Sequence, residues 1–257
     1  MASTIRWFSF VEIPEESALL KQWNDLDGWY ICPKNEVGDR LGPLVGYHGT
    51  YFDEATGKYL QKVGDVYANF RKIDERPSKR SSWANYLAAL ISRSGLDPTA
   101  CLGAPMGGIL LNADVSRHLG GECRTINAEK KVTALANFAI REQYELKLSH
   151  EIYPGDRVIP IEDVINNWTA AEETVRIVEE AGGEVIAFGC ALNRSPVNEF
   201  ERADGIVIPC ISLIHKPLPQ YRQDDPAVID DIREGNVRLK PKPVWSELKN
   251  FMREFGS

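Results

Sequence analysis

Val158-Ile159-Pro160-Ile161-Glu162-Asp163-Val164-Ile165-Asn166-Asn167-Trp168-Thr169-Ala170 decides the fold. An apolar run without alternation, ending in two adjacent acids, predicts a strand buried on both faces of a parallel sheet. A short polar run then leads into a helix pattern over Ala170–Ala181, stopped by Gly182-Gly183. In open α/β sheets ligands bind at the carboxyl ends of the strands, which is where Glu162 and Asp163 stand. Residues 166–170 lie at the helix N-terminus, where unpaired backbone N–H groups and the helix dipole favour a phosphate, and Thr169 adds a hydroxyl donor. The carboxylates are acceptors suited to a ribose diol. Two residues sit badly with this plan. Pro160 removes a donor from a strand expected to be central, which predicts a local bulge. Trp168 places a bulky side chain in this short loop, and a non-glycine side chain resists positive φ. Either the backbone takes a different path, with Asn167 in any left-handed position, or phosphate binding is altered.

Outward from this stretch, helix and strand patterns alternate across residues 66–215. Trp83–Ser94 puts Tyr86, Leu87, Leu90 and Ile91 on one face, a helix. Ala100–Leu102 reads as a strand, followed by the turn Gly103-Ala104-Pro105-Met106-Gly107-Gly108 and a helix over Ile109–Leu119 that ends at Gly120-Gly121. Cys123–Ala128, Arg157–Ile161, Glu184–Leu192 and Ile206–Ile211 are further strands. This alternation predicts a mostly parallel sheet with helices on both faces. Residues 1–65, rich in Gly, Trp and Tyr, predict a helix near Glu15–Asn24 and short antiparallel strands at Leu44–Tyr47 and Tyr59–Val63. Residues 216–257 form a proline- and charge-rich tail with a last helix over Val244–Phe255.

Composition narrows the function classes. The 257 residues allow one large domain with a small subdomain, and 43% hydrophobic content supports a substantial core. A net charge of −7 without a basic stripe argues against nucleic-acid binding. No apolar run reaches membrane-spanning length, and the N-terminus lacks a signal-peptide core. The five cysteines, with no CxxC pair, fit reduced thiols of a cytoplasmic protein.

The strand, acid pair and small-residue loop of 158–170 resemble the PRPP-binding motif of the type I phosphoribosyltransferases. The turn at residues 103–108, placed before that motif, is similar to the pyrophosphate loop of orotate phosphoribosyltransferases. Val66–Lys72 and Ser212–Tyr221 also resemble segments of that family, so the likeness covers roughly residues 63–225. Tyr144-Glu145-Leu146 is similar instead to adenine phosphoribosyltransferases, which leaves the base open.

The resemblance implies a type I phosphoribosyltransferase fold with three parts: a hood for base recognition (1–65), a PRPP-binding core (66–215) and a tail packing on core or hood (216–257). It implies transfer of a phosphoribosyl group from PRPP to a nucleobase, with orotate the best guess and pyrimidine nucleotide biosynthesis the setting. Catalytic roles fall on Glu162, Asp163, Lys130 and Lys131. Asn166, Asn167, Trp168, Thr169 and Ala170 hold the 5′-phosphate, and Ala104, Pro105, Met106, Gly107 and Gly108 hold pyrophosphate. A mobile loop carries Arg141, Tyr144 and Lys147. Mg²⁺ is expected near Asp163, held through PRPP and water rather than by direct protein ligands, and the assembly is expected to be a homodimer. The alternatives are a purine or modified-base phosphoribosyltransferase and a non-catalytic PRPP-sensing regulator.

Overall fold

A computed structural model describes residues 11–134, 143–168 and 170–256. In chain order the elements are α1 (Glu16–Asp25), β1 (Trp29–Ile31), β2 (Leu44–Asp53), β3 (Lys58–Gly64), β4 (Val66–Ala68), α2 (Arg71–Asp74), α3 (Pro77–Arg93), β5 (Ala100–Gly103), α4 (Gly108–Leu119), β6 (Arg124–Ala134), β7 (Gln143–Leu148), β8 (Arg157–Ile165), α5 (Ala171–Glu180), β9 (Glu184–Val185), β10 (Phe188–Asn193), β11 (Glu199–Glu201), β12 (Val207–His215), α6 (Ile229–Arg233), β13 (Val237–Arg238) and α7 (Trp245–Phe255). They fall into two compact units, one of residues 1–22, 73–133 and 144–217, the other of residues 23–72, 134–143 and 218–257.

The larger unit is built on the sheet β11-β12-β10-β8-β5-β6-β7, with β9 beside β8. The pairs β5/β6, β5/β8, β8/β10, β8/β9 and β10/β12 are parallel, and β11 closes one edge antiparallel to β12. This is the expected mostly parallel sheet. Its central strands are buried end to end: every residue of β5 and of β10 is inaccessible, as a sheet covered on both faces requires. Leu102, Val158 and Cys190 pack with Val175 and Val178 of α5. The alternating residues Ile159 and Ile161 lie instead beside Gly189 and Ile91 of α3. The pleat thus gives α5 one face of the sheet and α3 the other, with α4 joined to α3 by the Arg80–Asp114 ion pair (2.8 Å). Asp156, in the turn before β8, receives hydrogen bonds from the Thr99 hydroxyl (2.7 Å) and the Tyr153 N–H (2.6 Å) and pairs with Arg124, which fixes where β8 begins.

The run Glu184–Leu192, expected as one strand, is two. Val158 pairs with Val185 and Ile161 with Gly189, so three steps along β8 face four along its partner. The extra residue is a bulge. It lies opposite Ile159-Pro160, where proline offers no N–H to the ladder, so the expected bulge falls on the neighbouring chain. The helix expected from Trp83 begins earlier, with Pro77 in its first turn. The last core strand runs on to His215.

In the smaller unit β1 and β4 form an antiparallel ribbon, and β13, β2 and β3 a second sheet. Trp245 and Leu248 of α7 pack on Tyr30, Cys32, Val45 and Tyr47, so the C-terminal segment completes this unit's core. Arg40 is its polar anchor, donating to Asp65 (2.5 Å), Asp231 (2.9 Å) and the Ala227 carbonyl (2.7 Å). Among the described residues no helix is long and apolar enough to cross a membrane.

Candidate functional site

Because β5, β8 and β10 are parallel, their carboxyl ends point the same way. Gly103 registers with Ile161, and Asn193 with Ile165. Three segments therefore meet at one end of the sheet: the glycine turn after β5, the acid pair with residues 166–168, and Asn193-Arg194-Ser195 after β10.

The glycine turn lies directly against the acid strand. A methyl group at Gly107 would fall 2.2 Å from Asp163 Oδ2, and one at Gly108 would fall 2.0 Å from the Ile161 carbonyl oxygen. The Ala104 N–H donates to that carbonyl (3.1 Å). Only glycine permits this approach, so the turn at 103–108 and the acids form one structure. At the head of the turn, a methyl at Gly103 would meet Asn127 Oδ1 of β6 at 2.4 Å. The Pro105–Met106 peptide is cis, and Met106 is exposed.

The two acids are not equivalent. Neighbours on a strand point to opposite faces, and Asp163 takes the face of the glycine turn. Its carboxylate also accepts the Val164 N–H (2.9 Å). Glu162 takes the other face and registers with the buried Cys190. Burial pushes the Glu162 pKa up to about 8, with repulsion from Asp163 adding to the shift and the Lys130 charge opposing it. At neutral pH Glu162 is therefore largely protonated and can donate as well as accept.

The same alternation separates the lysines. Both are exposed, and both lie inside strand β6 rather than at the opening of a loop. Lys130 shares the face of Ile126 and Ala128, the Glu162 side, whereas Lys131 shares the face of Asn127, toward the glycine turn. Tyr144 and Lys147, expected in a loop, belong to strand β7. Lys147 pairs with Glu145 at 3.3 Å on the surface, and the side chain of Tyr144 lies outside the description. Arg141 and Thr169 lie outside the described residues. His150 is exposed, its Nδ1 accepting the Asn127 N–H (3.3 Å).

The shift of Glu162 has a consequence for stability. A raised folded-state pKa means that folding holds the proton. The contribution of Glu162 to stability is therefore fully present below the ordinary carboxylate range and is lost as pH climbs toward 8. Glu162→Gln keeps the shape and removes the charge. It is expected to melt with the wild type at pH 5 and to be more stable by about 1–3 kcal/mol at pH 9. Equal melting temperatures at pH 9 would contradict the assigned environment.

Asn166 and Asn167 form the bend after β8, and Ala170 caps α5. The left-handed residue is Trp168 itself, at φ 61°; Asn167 does not have the positive φ expected of it. A non-glycine residue there costs about 1–2 kcal/mol. The indole offsets it by leaving the loop for the core. It packs edge-on against Phe188 (5.4 Å between centroids) and tilted against Phe200 (5.9 Å). Its Nε1–H donates to Ser195 Oγ (3.2 Å).

Ser195 belongs to a set the sequence reading passed over. Asn193 and Ser195 are fully buried and Arg194 is 2% exposed. The Arg194 N–H donates to the Ile165 carbonyl (2.9 Å), stitching the end of β10 to that of β8. Asn193 Oδ1 accepts the Ser195 N–H (2.9 Å), and His215 Nε2 lies 3.1 Å from the Ser195 carbonyl. A buried Asn-Arg-Ser trio closing an apolar strand was the available signal.

No group of three or more His, Cys, Asp or Glu side chains suited to a metal occurs among the described residues. Asp163 supplies hard oxygen donors of the type Mg²⁺ takes alongside water and other oxygens. The donors present therefore fit an ion held chiefly by its substrate.

No family model matches the chain. Among curated proteins it is 25% identical over 193 residues to the orotate phosphoribosyltransferase of Sulfurovum sp., covering 72% of this chain and 86% of that one. It is 29% identical to the orotate phosphoribosyltransferase of Caldanaerobacter subterraneus subsp. tengcongensis, covering 70% of this chain and 84% of that one. Among solved structures, the Mycobacterium tuberculosis orotate phosphoribosyltransferase in complex with Fe(III) dicitrate aligns over 79% of this chain and 97% of its own at 16% identity, with a TM-score of 0.49.

Proposed function

We propose, from the chain's similarity to the type I phosphoribosyltransferases and to orotate phosphoribosyltransferase in particular, that it transfers a phosphoribosyl group from PRPP to orotate with release of pyrophosphate. The observation that carries this reading is the contact of Gly107 and Gly108 with the Asp163 strand at the carboxyl ends of parallel strands. A turn of backbone donors held against a carboxylate suits one ligand that carries phosphate oxygens and a diol together.

In this reading Asp163 holds the ribose hydroxyls. Glu162, protonated at neutral pH, adds a donor on the other side of the strand. The turn Ala104–Gly108 cradles pyrophosphate through backbone N–H groups, and Lys131, on that face, meets its growing charge. Lys130, on the Glu162 side of the sheet, partly offsets the rise in the Glu162 pKa. Residues 166–170, at the start of α5, take the 5′-phosphate. Asp163 would help to hold a Mg²⁺ ion, which when bound would supply charge neutralisation on the pyrophosphate.

The test is a base panel. With PRPP and Mg²⁺, orotate is expected to release pyrophosphate, whereas adenine, hypoxanthine, guanine and xanthine do not. Turnover of a purine alone would replace the orotate assignment. PRPP binding by calorimetry without turnover of any base would mark a PRPP-binding regulator. No binding of PRPP would remove the reading.

A further inference from the structure

Trp168 occupies the left-handed turn of the phosphate loop, yet its side chain is committed elsewhere. The ring is clamped by Phe188 at the start of β10 and Phe200 of β11. Its N–H reaches Ser195 Oγ just beyond the end of β10. That hydroxyl is itself fixed, with Asn193 Oδ1 and the Val197 carbonyl both at 2.7 Å sharing its single proton. The Trp168 carbonyl accepts the Ala171 N–H (2.9 Å), which ties the same residue to the first residue of α5.

We propose that Trp168 is a positioning residue for the 5′-phosphate loop, in which side-chain anchorage to Ser195, Phe188 and Phe200 holds the left-handed turn that glycine would reach by conformational freedom. This rests on the phosphoribosyl reading above. Anchorage and freedom set the turn by opposite means. A glycine turn visits many conformations and is fixed only by its ligand. A turn locked by a buried indole is already in place, and its ordering entropy falls at folding rather than at binding. The anchor also links the phosphate loop to Asn193-Arg194-Ser195, so a change at Ser195 is felt at the loop without touching the ligand.

The test is calorimetry on the full chain with ribose 5-phosphate, which probes the 5′-phosphate loop, and with pyrophosphate plus Mg²⁺, which probes the turn at 103–108. Trp168→Gly is expected to weaken ribose 5-phosphate about tenfold and to change pyrophosphate binding less than about twofold. Trp168→Phe keeps a packed ring and removes only the donor, and Ser195→Ala removes the acceptor. Each is expected to weaken ribose 5-phosphate about fivefold, and the two together by less than the product of the separate effects, because both remove the Trp168–Ser195 bond. These two variants decide the matter if Trp168→Gly does not fold. Unchanged or tighter ribose 5-phosphate binding in the folded variants overturns the inference while the phosphoribosyl reading stands. Equal weakening of both ligands shows a general structural role and also overturns it. A wild type that binds neither ligand overturns both.

Discussion

Glu162→Gln with Asp163→Asn is expected to lower PRPP-dependent product formation by about 10³-fold or more while the far-ultraviolet circular dichroism spectrum stays that of the wild type. Both changes keep side-chain shape and remove charge, so the packing of β8 against β5 and β10 is untouched. The loss is expected to be unequal between the single variants. Asp163 faces the glycine turn and supplies the carboxylate there, so Asp163→Asn alone should account for most of it. Glu162, with its pKa near 8, is already largely neutral at pH 7, and Glu162→Gln should cost far less near neutrality. Full activity in the double variant would sink the site assignment. Equal losses in the two single variants would contradict the division of the acids between the two faces of β8.

Gly108→Ala is expected to be the most destabilising small substitution near the site. The added methyl would lie 2.0 Å from the Ile161 carbonyl oxygen and 3.0 Å from its carbonyl carbon. Both are backbone atoms of a strand held on either side, so neither can swing away. Alanine is otherwise the better helix former at this first position of α4, and an exposed glycine there would gain from the change. The clash reverses the sign, with an expected loss of about 3 kcal/mol, or about 10 °C in melting temperature for a chain of this size. Gly107→Ala is the internal contrast. Its methyl meets the Asp163 carboxylate at 2.2 Å, the movable end of a side chain. It should therefore lose activity with a much smaller loss of stability. A Gly108→Ala protein as stable as the wild type would show that α4 does not start against β8 as described.

The sequence by itself determined the class of sheet and picked out the segments proposed to build the site. Apolar runs without alternation at Ala100–Leu102, closed by a Gly-rich turn, and at Val158–Ile161, closed by the acid pair and a polar loop, are each followed by a helix-period stretch and leave a mostly parallel sheet as the arrangement that buries them. These are local signals, set by side-chain period and turn chemistry over a few residues, and they put the acid pair at a strand end, whereas β8 runs on through the acids to Ile165. Tertiary structure alone decided what depends on register between distant strands. The four-against-three offset opposite Pro160 splits the run 184–192, because the missing N–H matters only to the chain that pairs with it. The burial that raises Glu162 comes from β10 beside it, and the division of Lys130 from Lys131 follows from how far β6 extends. Trp168 is the sharpest case. Its backbone cost is legible from residue type, but what offsets that cost is Phe188, Ser195 and Phe200, brought to it by the parallel pairing of β8 with β10 and the return of β11 along β12.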